Sequence, residues 1–158
     1  METPGPIATF MKADHNRLDE LRRKGAWWEF RGGLLRHIGL EEKILLPEAR
    51  KRRGGMPLPE AIRLREDHAA LATLLIPSPA PELTAAIERI LEAHNPLEEG
   101  PGGVYAACDA LCGPEAGVIV ERLHQAPEVP QSAYFDGPRA LAQVERVLAW
   151  VTARGPRP

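Results

Sequence analysis

Two short patterns recur in this chain, and both contain side chains that hold metal ions. D-H-x-x-L occurs as Asp14 to Leu18 (DHNRL) and again as Asp67 to Leu71 (DHAAL). H-x-x-L-E-E occurs as His37 to Glu42 (HIGLEE) and again as His94 to Glu99 (HNPLEE). Four of the five histidines in the protein therefore belong to a two-fold repeat in which the first pattern precedes the second. Imidazole and carboxylate together suit iron, manganese or zinc, and a carboxylate can bridge two cations. Glu41 and Glu98 follow His37 and His94 by four residues, a helical spacing of about 6 Å at Cβ, so both members of each pair can reach the same ions.

Read as helices, these segments place their polar groups on faces meant for burial. His15 lies between Met11 and Leu18, and His68 between Leu64 and Leu71. His37 and Glu41 interrupt a stripe made of Trp27, Phe30, Leu34, Ile44 and Leu45, and His94 follows Leu91. A buried carboxylate without a partner costs several kcal/mol or takes up a proton. A metal charge would compensate. One histidine from each of four helices, with two glutamates, is the set expected of a dinuclear carboxylate site inside a helix bundle. His15, His37, Glu41, His68, His94 and Glu98 are therefore the candidate ligands, each ion taking two histidines and sharing both glutamates. Asp14, Asp67, Glu42 and Glu99 fall off the stripes and read as solvated, with orientation of the histidines as the competing role.

The elements that must position these residues follow from period-3.6 patterning, which is repeated while period-2 alternation is scarce, so the chain reads as all-α. Helices are expected over about Ile7–Lys24, Ala26–Arg53, Pro59–Ile76 and Pro81–Glu99, with Gly and Pro clusters between them. Pro47 is expected to kink the last turns of the second, because it lacks the N–H an α-helix needs there. The basic run Arg50-Lys51-Arg52-Arg53 suits the negative end of that helix dipole. After the break at residues 100–103, a turn or two resumes at Val104–Leu111. A short helix (Glu115–Gln125), a proline-bearing loop and a last amphipathic helix with Leu141, Val144, Leu148 and Val151 complete the chain. Four long helices with short connections argue for an antiparallel up-down-up-down four-helix bundle over residues 1–113. Residues 114–158 then form a helical extension packed on the bundle or at a homodimer interface.

The motifs FMKADHNRLDEL, FRGGLLRHIGLEEKILLPEARKR, REDHAAL and LEAHNPLEE together resemble the hemerythrin-like (HHE cation-binding) domain family over about residues 7–112. That resemblance implies a four-helix bundle with a non-haem di-iron centre, oxo- or hydroxo-bridged, that binds or reacts with dioxygen, nitric oxide or peroxide. It assigns the ligands to His15, His37, Glu41, His68, His94 and Glu98. The chain also departs from the family. Oxygen-carrying hemerythrins have a second histidine one turn on in the third helix, where Ala72 stands here. The remaining set of four His and two Glu is closer to iron-sulfur-cluster repair proteins and iron-sensing hemerythrin-like domains. The repair proteins carry a cysteine-containing N-terminal segment, whereas this sequence starts straight into its first helix. EEGPGGVY replaces the usual apolar turn after the final glutamates, and Pro96, between His94 and Glu98, is expected to add a local kink because it cannot donate to the Glu92 carbonyl.

Composition narrows the classes. A formal net charge of −2 gives no electrostatic pull toward nucleic acid or an anionic membrane. No Gly-rich nucleotide loop and no nucleophile–base pair stands out. With no charged-then-apolar leader and no apolar run of membrane-spanning length, the protein is expected to be cytoplasmic. Cys108 and Cys112 read as small buried thiols, Tyr105 as a packing residue, and Trp27, Trp28 and Phe30 as core and rim packing. His124 is expected to have no metal role. The leading function is a di-iron protein that binds, senses or detoxifies a small diatomic ligand or peroxide. The alternatives are a regulatory module with a structural or iron-sensing metal, and iron storage or delivery for cluster repair. Zinc and manganese are the alternative metals.

Overall fold

Residues 3–154 are described by a computed structural model, and among them every regular element is helical. The helices are α1 (Pro6–Arg23), α2 (Trp27–Leu40), α3 (Leu46–Arg52), α4 (Ala61–Leu74), α5 (Pro81–Glu99), α6 (Val104–Cys112), α7 (Ala116–Gln125) and α8 (Pro138–Arg154). The expected elements are all present, within a few residues of their expected ends. Residues 155–158, the end of the expected extension, lie outside the described residues, as do Met1 and Glu2.

Helix α2 does not stop at Leu40. It passes through a five-residue π-helical turn, Glu41–Leu45, into α3. There the Leu46 amide reaches back five residues to the Glu41 carbonyl. The distortion expected at Pro47 therefore falls one turn earlier, as a widening of the helix. Such single π turns concentrate at functional sites, and this one starts on a candidate ligand. Helix α5 continues through Pro96 to Glu99, where the Gly100 amide closes the last turn on the Pro96 carbonyl at 2.9 Å.

Two apolar clusters form the core. One gathers Ile7, Met11, Leu40, Leu45, Leu64 and Tyr105, and the other Leu18, Phe30, Leu34, Leu71, Ile87 and Ile90. Along α1, Met11 belongs to the first cluster and Leu18 to the second, with His15 between them. Along α2 the order reverses, from Leu34 through His37 to Leu40. In α4, Leu64 precedes His68 and Leu71 follows it. The histidines thus occupy a polar layer with apolar packing on each side.

The C-terminal elements are packed on the rest. Helix α7 lies on α1, and α8 lies on α4 and α5 through Val144 and Val151. Leu141, expected on the apolar stripe of α8, is 42% exposed instead, and Ala140 takes the buried position beside it. Helix α6 is tied to the first turn of α1 by Asp109, whose carboxylate accepts the Ile7 and Ala8 amides at 2.9 and 3.0 Å. These amides have no partner inside their own helix, and an acid near them also suits the dipole. Gly5 makes the approach possible, since a Cβ there would collide with the Asp109 carboxylate.

An apolar window within Pro81–Gln125 reaches a mean hydropathy of 1.2, enough by length and composition alone to cross a membrane. The turn at residues 100–103 divides that stretch, and 39% of the window is buried inside the protein.

Candidate metal centre

The structure brings His15, His37, Glu41, His68, His94 and Glu98 together from four helical segments, and all six are buried. They form two sets that share both glutamates. One is His15, His37, Glu41 and Glu98; the other is Glu41, His68, His94 and Glu98. In each set, one ligand atom per residue lies within 4.8 Å of the others.

The four acids expected to be solvated are withdrawn from water to different degrees, Asp67 fully, Asp14 largely, and Glu42 and Glu99 in part. Each binds the Nδ1 atom of one histidine: Asp14 that of His37 at 2.7 Å, Glu42 that of His68 at 2.8 Å, Asp67 that of His94 at 2.9 Å, and Glu99 that of His15 at 2.5 Å. The orienting role replaces the solvated one because each acid sits one residue from a ligand and faces a neighbouring helix. A carboxylate at Nδ1 holds the ring with Nε2 turned inward as the free donor. Asp67 is completely buried and also accepts Arg154 Nη1 of α8 at 2.8 Å.

Tyr105 was expected to pack, and the structure gives it a further role. Its ring is fully buried and its hydroxyl enters the ligand cluster. The oxygen lies 2.8 Å from Glu41 Oε2, 3.2 Å from Glu98 Oε1, and 3.1 Å from Nε2 of both His15 and His37. The turn written EEGPGGVY puts it there. Gly103 packs so tightly that a Cβ would lie 2.7 Å from the Leu97 carbonyl oxygen and 2.8 Å from that of Glu98. The one sequence signal for Tyr105 was its closeness to Glu98, seven residues on, with the turn at residues 100–103 between them.

The electrostatics of the chain without metal show a cluster that compensates itself with protons. Burial pushes Glu41 up, and the charge of Glu98 adds to it. Burial acts the same way on Glu98, but a hydrogen bond from Glu41 and the charge of His94 outweigh it and hold Glu98 well below its ordinary value. The two glutamates are therefore driven apart rather than both raised, because one proton between them relieves the repulsion. Burial disfavours charge on His15, yet hydrogen bonds to Glu98 and Glu99 raise it to about 9. His94 rises to about 10, against its burial, under the charge of Glu98 and the hydrogen bond to Asp67. Burial, with the charges of Glu41 and Glu98, pushes Tyr105 well above its ordinary value.

The donor set fits a cation. Glu41 Oε1, His68 Nε2 and Glu98 Oε2 are buried without a hydrogen-bond partner, a costly condition in a protein interior. All three belong to the second set. A cavity of about 260 Å³ opens on both sets, with walls of Leu18, Phe30, Leu34, Ile38, Leu71 and Leu91. At its exposed end Arg22 bridges Asp19 and Glu88 at 2.7 and 2.6 Å.

Other candidates lie apart from the cluster. Cys108 and Cys112 are free and buried, and burial pushes the Cys108 thiol up to about 12. His124 packs edge-on against Phe10 with ring centroids 4.7 Å apart. Phe30 is core, whereas Trp28 is 42% exposed and meets Tyr134 edge-on. No family model, curated protein or solved structure matches the chain.

Proposed function

We propose that this chain is a hemerythrin-like protein whose α1, α2, α4 and α5 form an up-down-up-down bundle around a dinuclear iron centre. The centre binds, senses or detoxifies dioxygen, nitric oxide or peroxide. The observation that carries the reading is the pair of interlocked ligand sets, each with two histidines and both with the same two glutamates. A single ion would use only some of six converging donors, whereas shared carboxylates are how two cations are held side by side. The order of apolar clusters along the helices supports the bundle, because it reverses from α1 to α2 and reverses again in α4.

His15 and His37 would hold one ion, His68 and His94 the other, and Glu41 and Glu98 would bridge them. When bound, iron supplies the open coordination positions and the electrons that a diatomic ligand or peroxide needs. The protein supplies everything else. The carboxylates at Nδ1 fix each ring and raise its basicity. Leu18, Phe30, Leu34 and Leu71 keep the approach apolar, which favours an uncharged small ligand over water and anions.

Metal analysis of the purified protein with its optical spectrum under each ligand tests the reading. About two irons per chain and a spectral change with at least one of the three ligands are expected. Saturation at one ion, or a loaded centre inert to all three, overturns it.

A further inference from the structure

We propose that Tyr105 is a direct ligand of the ion held by His15 and His37, so that the two metal positions are chemically unequal. The inference rests on the metal-binding reading above and goes beyond the six ligands it names.

The geometry carries it. Donors that occupy neighbouring corners around one ion, each about 2.1 Å from it, lie about 3.0 Å from one another. The Tyr105 oxygen is 2.8 to 3.2 Å from one donor atom of every member of the first set and is not close to His68 or His94 by any hydrogen bond. It therefore stands where a fifth donor stands, adjacent to all four others. Those four are themselves gathered: His15 Nε2 is 3.2 Å from Glu98 Oε1, and His37 Nε2 is 3.7 Å from Glu41 Oε2.

Hydrogen-bond capacity points the same way. A phenol has one proton to give. Here it faces two carboxylate oxygens, and two imidazole nitrogens whose opposite ring atoms are engaged by Glu99 and Asp14. The one phenolic proton cannot satisfy all four, so without metal the cluster relies on further protons such as that on His15, whereas a cation among the five atoms satisfies them all. Among the described residues the second set has no counterpart to Tyr105, and its inward atoms Glu41 Oε1, His68 Nε2 and Glu98 Oε2 remain without hydrogen-bond partners, facing only the other members of the set: His68 Nε2 is 3.3 Å from Glu41 Oε1, and His94 Nε2 is 3.1 Å from Glu98 Oε2. Tyr105 is also absent from the walls of the cavity that reaches the cluster. The phenol closes the first position on the side away from that cavity, so the ion held by His15 and His37 would have one coordination position fewer for an incoming ligand than its neighbour.

On coordination the phenol O–H bond breaks and the proton passes to solvent buffer. The oxygen keeps the electron pair and shares it with the ion, and no oxidant is consumed by this step. A phenol oxygen bound to ferric iron has a visible charge-transfer band and resonance-enhanced ring vibrations in the Raman spectrum. The full chain is loaded with ferrous iron and then oxidised. Wild type is expected to show both signatures, Tyr105→Phe to lose both while binding the same amount of iron, and Tyr134→Phe to keep them. Tyr134 is the only other tyrosine, and it packs on Trp28 and Arg31 instead.

Two irons in wild type without these signatures would overturn the ligand assignment and leave the dinuclear reading standing. One iron would overturn both, with the hydroxyl occupying the first metal position itself. Because the Raman signature is read on wild type, a Tyr105→Phe variant that failed to fold would not shelter the proposal.

Discussion

Asp67→Asn isolates what the buried acids contribute. Asp67 Oδ2 accepts from His94 Nδ1 at 2.9 Å, and Oδ1 accepts from Arg154 at 2.8 Å, while Arg63 Nε lies 3.3 Å from Oδ2. Asparagine keeps the shape but exchanges one oxygen for an NH₂ group. Whichever way the amide turns, a donor meets a donor, either at His94 or at Arg154. Removing one partner of a buried charged pair costs about 3–5 kcal/mol. Arg154 and Arg63 are 23% and 35% exposed, so water solvates part of what is uncovered. His94 is 3% exposed and gains no such relief. The lower end, about 3 kcal/mol of folding stability, is therefore expected. Loss of an orienting carboxylate also weakens metal affinity by about 10–100-fold, or about 1.4–2.8 kcal/mol. Glu42→Gln at His68 should cost less in stability, since Glu42 is 27% exposed and water can replace its charge. Urea unfolding of the metal-free chain and competition with a chelator measure the two quantities separately. If Asp67→Asn matches Glu42→Gln in both, burial does not govern the strength of these contacts and the reasoning fails.

Three further outcomes follow from the same geometry. Chelation at pH 7 should lower the melting temperature, because metal binding to a folded site contributes directly to folding; an unchanged transition after verified removal refutes a metal in this cluster. In the metal-free chain, His15 at about 9 and His94 at about 10 both exceed their unfolded value of 6.5. Their contribution is complete below pH 6.5 and is lost as pH rises through 9 and 10. Urea midpoints should fall across that window, while metal uptake tightens as the protons leave. Finally, Gly103→Ala drives a Cβ into backbone carbonyls at 2.7 and 2.8 Å, which cannot rotate away. It should destabilise the fold by about 1–3 kcal/mol and shift the phenolate signature of Tyr105, whereas Gly39→Ala, in open space, should do neither.

What the sequence made legible was whatever repeats or follows a helical period. The helices, the six inward residues and the break after Glu99 were all readable from spacing. The π turn was not, because Pro47 announces only a missing N–H and does not say which turn will absorb the loss. The acids were misjudged for a related reason. A helical wheel assigns Asp14 and Asp67 to the flank of a stripe, and a flank is solvated only if no neighbouring helix covers it. That depends on which helices lie side by side, which single-helix periodicity does not contain. Tyr105 escaped because the chain turns at residues 100–103 before reaching it, so its distance from Glu98 along the sequence carried little information on its direction. Leu141 erred in the opposite sense: it fits the apolar period of α8, but α4 and α5 cover only the side bearing Ala140, Val144 and Val151.

The cross-helix contacts also explain why the motifs have the letters they have. Asp14 precedes His15 but holds His37, and Asp67 precedes His68 but holds His94, so the aspartates work within each repeat. Glu42 follows Glu41 but holds His68, and Glu99 follows Glu98 but holds His15, so the second glutamates work between the repeats. Each helix thus carries an inward candidate ligand and, one residue away, an acid bonded to a histidine on another helix. No helix can form its part of the site alone. Each histidine is oriented only when its neighbour has docked, and each docked neighbour brings an acid whose burial is tolerable only against that histidine. The doubling of acids beside the ligands is therefore what couples assembly of the four helices to assembly of the centre. Removing an acid on one helix should be felt at a ring on another, and a double-mutant cycle between Asp14 and His37 should show coupling that Asp14 and its chain neighbour His15 do not.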